Sequence, residues 1–202
     1  MNKNRIEAFS DGVFAIVVTI MVFEIKIPHV PVSELNRAVL AVIPKILAYV
    51  LSFIIIGVYW VSHHNMLHFI EKVDRSALWL NNLVLLTVAL IPFPTSLLGD
   101  YPGATLPILV YSITLSSVNF AGTLLWAYSS FKNRLTVRDL NPKFSRKVII
   151  LHSSPIIFYI SAVFLSNINV LWSYIIYFLV PLFFILPNPI LKRILKNPYI
   201  EK

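Results

Sequence analysis

The sequence contains no cysteine, which removes disulfide frameworks, thiolate metal sites, haem attachment and thiol nucleophiles together. Charge is also scarce: Asp, Glu, Lys and Arg make up 13% of the 202 residues, against about 25% in an ordinary soluble domain. There are only 5 glycines, and they form neither a Gly-rich phosphate loop nor a Gly-x-Ser-x-Gly elbow. No His-Glu-x-x-His helix occurs either. What is present is apolar, with 57% hydrophobic residues and a mean hydropathy of +0.77. This composition excludes an ordinary soluble globule and indicates a membrane protein. The 17 Lys and Arg outnumber 9 Asp and Glu, for a net charge of +8. In a soluble chain that excess would suggest nucleic acid, so the placement of the basic residues has to decide its meaning.

About 20 apolar residues span a hydrocarbon core of roughly 30 Å. Six stretches qualify, at residues 7–27, 39–62, 77–98, 106–128, 148–166 and 172–186. The expected fold is therefore all-α, a polytopic membrane protein with six transmembrane helices in one domain covering residues 1–202. Pro155 and Pro181 interrupt the last two stretches. They read as kinks, because neighbouring helices or Ser and Thr hydroxyls can satisfy the freed carbonyls. The connections are too short for a further domain, no half of the chain repeats the other, and the first apolar segment lacks a small-residue cleavage site.

With the N-terminus inside, the cytoplasmic segments hold Lys3, Arg5, Lys72, Arg75, Lys132, Arg134, Arg138, Lys143, Arg146, Lys147, Lys192, Arg193, Lys196 and Lys202, which is 14 of the 17 basic residues. The other side keeps Lys26, Arg37 and Lys45. The positive-inside rule then places both termini in the cytoplasm. A topology signal thus accounts for the charge without nucleic acid, and the juxtamembrane cations also suit anionic membrane lipid.

Charged residues inside a span are costly and become functional candidates. The first span carries Asp11 and, near its outer end, Glu24. At about 100° per residue, Phe9, Gly12, Val13, Ile16, Ile20, Phe23 and Ile27 share one face, with Thr19 at its border and Asp11 pointing nearly the other way. The second span ends at the same depth with Trp60-Val-Ser-His63-His64-Asn65, and the third begins there with Trp79-Leu-Asn81-Asn82. An ionised Asp11 needs donors, and Arg5, one of His63 and His64, and Asn82 are the expected ones. The expectation is a polar knot that holds the first helix in one rotation.

The segment Arg5-x-x-x-Phe9-Ser10-Asp11, followed by Gly-Val-Phe-Ala-Ile and an apolar run to Glu24, resembles the first-helix signature of the transmembrane protein 175 family of potassium channels. The resemblance continues in His63 and His64 after Trp60, in Asn81 and Asn82, and in Ile91-Pro92-Phe93-Pro94-Thr95. It implies a single-repeat, prokaryotic-type member: a potassium-preferring cation channel in the cell membrane, formed as a homotetramer whose first helices line a central pore. No cofactor is implied, and potassium is the permeant ion. The carbonyl filter Thr-Val-Gly-Tyr-Gly of ordinary potassium channels is absent here. The family pattern instead assigns the constriction and selectivity layer to Ile16, Thr19, Ile20 and Phe23, where Phe23 replaces the usual Leu and implies a differently shaped outer constriction. Rings of Ile or Phe offer no ligand to an ion and gate by width and dewetting, whereas Thr19 hydroxyls can coordinate a partly hydrated cation.

Two other classes compete. A proton-coupled secondary transporter, or a proton-permeable channel, predicts transport tied to protons, and a membrane scaffold predicts no flux. A zinc site from His63, His64, His68 and Asp11 is disfavoured because adjacent helical residues diverge by about 100°. Ser112, Thr114, Ser116, Ser117 and Asn119 on the fourth span read as groups bonding between helices.

Overall fold

The computed structural model describes residues 3–186 together with Pro198 and Tyr199. The basic residues Lys192, Arg193, Lys196 and Lys202 lie outside the described residues. Among the described residues eight α-helices follow one another: α1 (Lys3–Ile20), α2 (Leu35–Ala41), α3 (Ile43–Phe69), α4 (Arg75–Ala89), α5 (Pro92–Asp100), α6 (Thr105–Ser130), α7 (Pro142–Ser166) and α8 (Val170–Ile185). No strand occurs among the described residues. Five helical stretches among the described residues are long and apolar enough to cross a membrane, and α8 is a shorter apolar sixth.

The boundaries depart from the six expected stretches where proline and capping residues act. The first stretch leaves α-helix at Ile20 and tightens into a 3-10 turn, Met21–Glu24, so 25–27 is not helical. The second opens inside α2, which ends at Ala41. Pro44, which lacks an N–H and is accommodated in a first turn, starts α3 afresh, and α3 then runs seven residues past Ser62 to Phe69. The third is two helices, because Pro92 and Pro94 each remove a backbone donor between α4 and α5. α7 begins six residues earlier than 148, where Asn141 accepts from Lys143 N–H at 2.9 Å and Pro142 fills the first position. Pro155 stays inside α7. The carbonyl it frees, that of Leu151, accepts from Ser154 Oγ at 2.9 Å.

The interior is built around fully buried Trp126, Tyr111, Tyr159, Tyr177, Ile55 and Ile56. Hydroxyls stitch it together. Ser52 Oγ lies 2.8 Å from both Thr95 Oγ1 and Tyr111 OH, which joins α3, α5 and α6. Tyr59 OH takes a bond from Asn119 Nδ2 at 2.8 Å, and Ser112 Oγ lies 2.7 Å from Tyr177 OH. Of the fourth-span polar residues, Ser112 and Asn119 do bond between helices. Thr114 and Ser117 instead donate to carbonyls four residues back on α6. α1 packs on α3 and α4, while α7 packs on α6 and α8 at the other side of the bundle.

The loop between α6 and α7 is folded onto the end of α3. Leu135 carbonyl accepts from the N–H groups of Glu71 and Lys72, and Val137 N–H donates to Phe69. Lys132 and Asn133 take left-handed φ of 51° and 52° to make the turn. Asp74 caps α4 and ties the two loops. It accepts from Ala77 N–H at 2.9 Å and Tyr128 OH at 2.7 Å, and Arg134 stacks over the Tyr128 ring 3.6 Å from the same carboxylate. The Ala77 N–H, with Tyr128 and Arg134 behind it, holds the Asp74 carboxyl below its ordinary value.

Candidate functional site

α1 has two faces of opposite character. Ile6, Phe14, Val17 and Met21 are buried to 4% exposure or less, and Ser10 lies among them. These positions recur at helical spacing and pack on α3 and α4. Phe9, Ile16, Ile20 and Phe23 keep 59%, 60%, 42% and 69% of their surface, and Thr19 is exposed beside them. Phe23 stands on the 3-10 turn, one turn beyond the α-helical end.

The Thr19 hydroxyl lies 2.9 Å from both Ala15 and Ile16 carbonyls. Its proton is therefore directed back into its own helix, and the lone pairs of Oγ1 face outward. A side chain held this way presents an acceptor and no donor, which is the character a cation ligand requires.

The expected knot around Asp11 does not form; of its members only His63 enters a polar cluster, with Ser10 and Asn81. Asn81 Nδ2 donates to Ser10 Oγ at 3.2 Å, and its Oδ1 lies 2.8 Å from His63 Nε2. With Asn81 Oδ1 as acceptor, His63 carries its proton on Nε2. Phe14 of α1 rests on the His63 ring at 5.6 Å between centroids. All three polar residues are buried, and two hydrogen bonds through Asn81 join α1, α3 and α4.

The expected Asn82 is exposed instead, one residue and about 100° away from the position that faces Ser10. Asp11 does not bond to Arg5, to a histidine or to Asn82. It accepts from Trp60 Nε1 at 2.8 Å, and His64 lies against the Trp60 ring at 5.9 Å. Arg5 is exposed and makes no ion pair among the described residues. Trp60 was missed because an indole reads as an interfacial anchor, although its single N–H is a donor that lies one turn from His64. Ser62 Oγ and His152 Nε2, 2.8 Å apart, extend a polar layer from α3 to α7 and were missed as well. The His152 ring edge sits over Gly122, where a Cβ would approach Cε1 to 3.2 Å.

Asp11 remains exposed although it lies within a membrane-crossing helix. A carboxylate there is costly against lipid tails, so the uncovered sides of α1 suit protein or water. At the outer end, Glu24 accepts from Ser96 Oγ at 3.0 Å, and Lys45 pairs with Asp100 at 2.5 Å.

Residues 5–92 match the family described as endosomal/lysosomal potassium channel TMEM175. The chain is 33% identical over 200 residues to a potassium channel of Chryseobacterium sp. (strain P1-3), covering 98% of this chain and 100% of that protein. It is 40% identical over 132 residues to a potassium channel of Streptomyces collinus, covering 62% of this chain and 64% of that protein's length. Its fold superposes with a TM-score of 0.78 on the crystal structure of a lysosomal potassium-selective channel TMEM175 homolog from Chamaesiphon minutus, at 31% identity over 90% of this chain and 95% of that one.

Proposed function

The chain belongs to the TMEM175 family of ion channels, and from that membership we propose that it is a potassium-preferring cation channel of the cell membrane. In this reading four copies assemble with α1 around a central axis, as one membrane domain with both termini in the cytoplasm. The observation that carries it is the character of α1. One helix exposes a column of Phe9, Ile16, Ile20 and Phe23, a Thr19 oxygen whose proton is turned back into the helix, and a carboxylate at Asp11 that lipid would not accept. Around an axis, Ile16, Ile20 and Phe23 form apolar rings that restrict hydrated ions, and Thr19 supplies an oxygen layer between them. The bonds of Ser10, Asn81 and His63, and of Asp11 to Trp60, fix the rotation at which α1 presents these rings.

The test is flux from purified protein in liposomes, with potassium, sodium and protons compared. Passive potassium-preferring flux is expected. Ile16→Asn is expected to raise leak and lower discrimination, and Thr19→Val to lower discrimination. Flux that saturates and requires a proton gradient would replace the channel with a transporter, and no flux would leave a scaffold. Wild-type discrimination retained in both variants would remove α1 from the pore.

A further inference from the structure

The basic residues of the α6–α7 segment are not distributed evenly. Between Lys132 and Lys147 there are six cations and one acid, Asp139. Arg134 is engaged by Asp74 and Tyr128, and Lys132 lies over its neighbour Phe131. Lys143, Arg146 and Lys147 are exposed, occupy the first turns of α7, and form no ion pair among the described residues. At helical spacing they fall within an arc of about 100°. Ile150, Ile157 and Phe164 continue the same stripe, with 66%, 72% and 70% exposure. Lys143 and Ile150 are seven residues apart, a rise of about 10 Å.

This stripe has the anatomy of a phospholipid: cations at the phosphate level, then bulky apolar side chains along the acyl chain. Positive charge in the first turns of a helix opposes its dipole, so helix stability does not explain it. The positive-inside rule accounts for the sign of these residues but not for their gathering on the one arc continuous with the apolar stripe. We infer that Lys143, Arg146 and Lys147 form a headgroup site for an anionic phospholipid, whose acyl chain lies along Ile150 and Ile157. α7 packs on α6 and α8, leaving this stripe to the membrane.

Full-length protein purified in detergent tests the assignment by native mass spectrometry and lipid-dependent melting, with phosphatidylglycerol, phosphatidylcholine and inorganic phosphate as probes. Phosphatidylglycerol is expected to bind and raise the melting midpoint more than phosphatidylcholine. The triple variant Lys143→Gln, Arg146→Gln, Lys147→Gln is expected to bind it about tenfold more weakly or worse. A charge-matched control, Lys72→Gln, Lys132→Gln, Arg138→Gln, is expected to keep the preference, as is a Lys/Arg exchange at the three stripe positions. Equal effects of the two Gln triples would reduce the site to net charge and overturn it. So would equal binding of the two lipids, or competition by millimolar phosphate.

Discussion

Asn81 and Asn82 stand side by side in the sequence, and their environments are opposite. Asn81 is 3% exposed and uses both ends of its amide, donating to Ser10 and accepting from His63, while Asn82 faces outward. Removing Asn81 leaves the buried His63 Nε2–H without an acceptor. Asn81→Ala is accordingly expected to destabilise the protein by about 1–3 kcal/mol, against a change within about 0.5 kcal/mol for Asn82→Ala. Denaturation of the two variants in one detergent compares them directly, and equal losses would mean that the chain of bonds does not hold α1. Asp11 and Trp60 follow the same logic across a more exposed contact. Thr19 shows a single atom changing role through its partner: bonded back to Ala15 or Ile16, a hydroxyl becomes an outward acceptor.

Among the helices, the contact between α3 and α5 depends on a missing side chain. A Cβ on Gly99 would come 2.8 Å from Lys45 Cα and 3.0 Å from its Cγ, so the two helices approach only because Gly99 has none. Gly99→Ala is expected to force them apart at a cost of about 1–3 kcal/mol, as overpacking does. The same movement would disturb the Ser52 to Thr95 bond and the Lys45 to Asp100 pair. A lowered melting temperature checks this, and an unchanged one would show that the contact opens freely. The break between α4 and α5 was written in Pro92 and Pro94, yet the hydropathy there is continuous, and a span read from hydropathy alone runs through it. Ser154 illustrates the reverse case, in which the sequence rule that hydroxyls satisfy proline-freed carbonyls matches the bond that forms.

Across the whole molecule, the Asp74 carboxylate adds to the backbone bonds of Leu135 and Val137 in tying the loops at its end together, and links α4, α6 and the α6–α7 loop. Its depressed pKa means that its contribution is present at neutral pH and is lost as pH falls through the folded value. The stability gap between wild type and Asp74→Asn is expected to be largest at neutral pH and to close on acidification below the ordinary carboxylate range. A gap that does not change with pH would remove the charge from the account. Chain composition and apolar run length determined by themselves that this is a helical membrane protein with six apolar stretches, five of which form helices long enough to cross a membrane among the described residues, because the bilayer tests length and hydropathy locally. The Phe9-Ser10-Asp11 signature likewise marks α1 independently of packing. Only the tertiary structure decided that Asn81 and not Asn82 meets Ser10, that Trp60 serves Asp11, and that Ser62 reaches His152. The physical reason is that a hydrogen bond requires a partner within about 3 Å and aligned. Helical periodicity locates a side chain only to an arc of its own helix and leaves the rotation and depth of the neighbouring helix to packing.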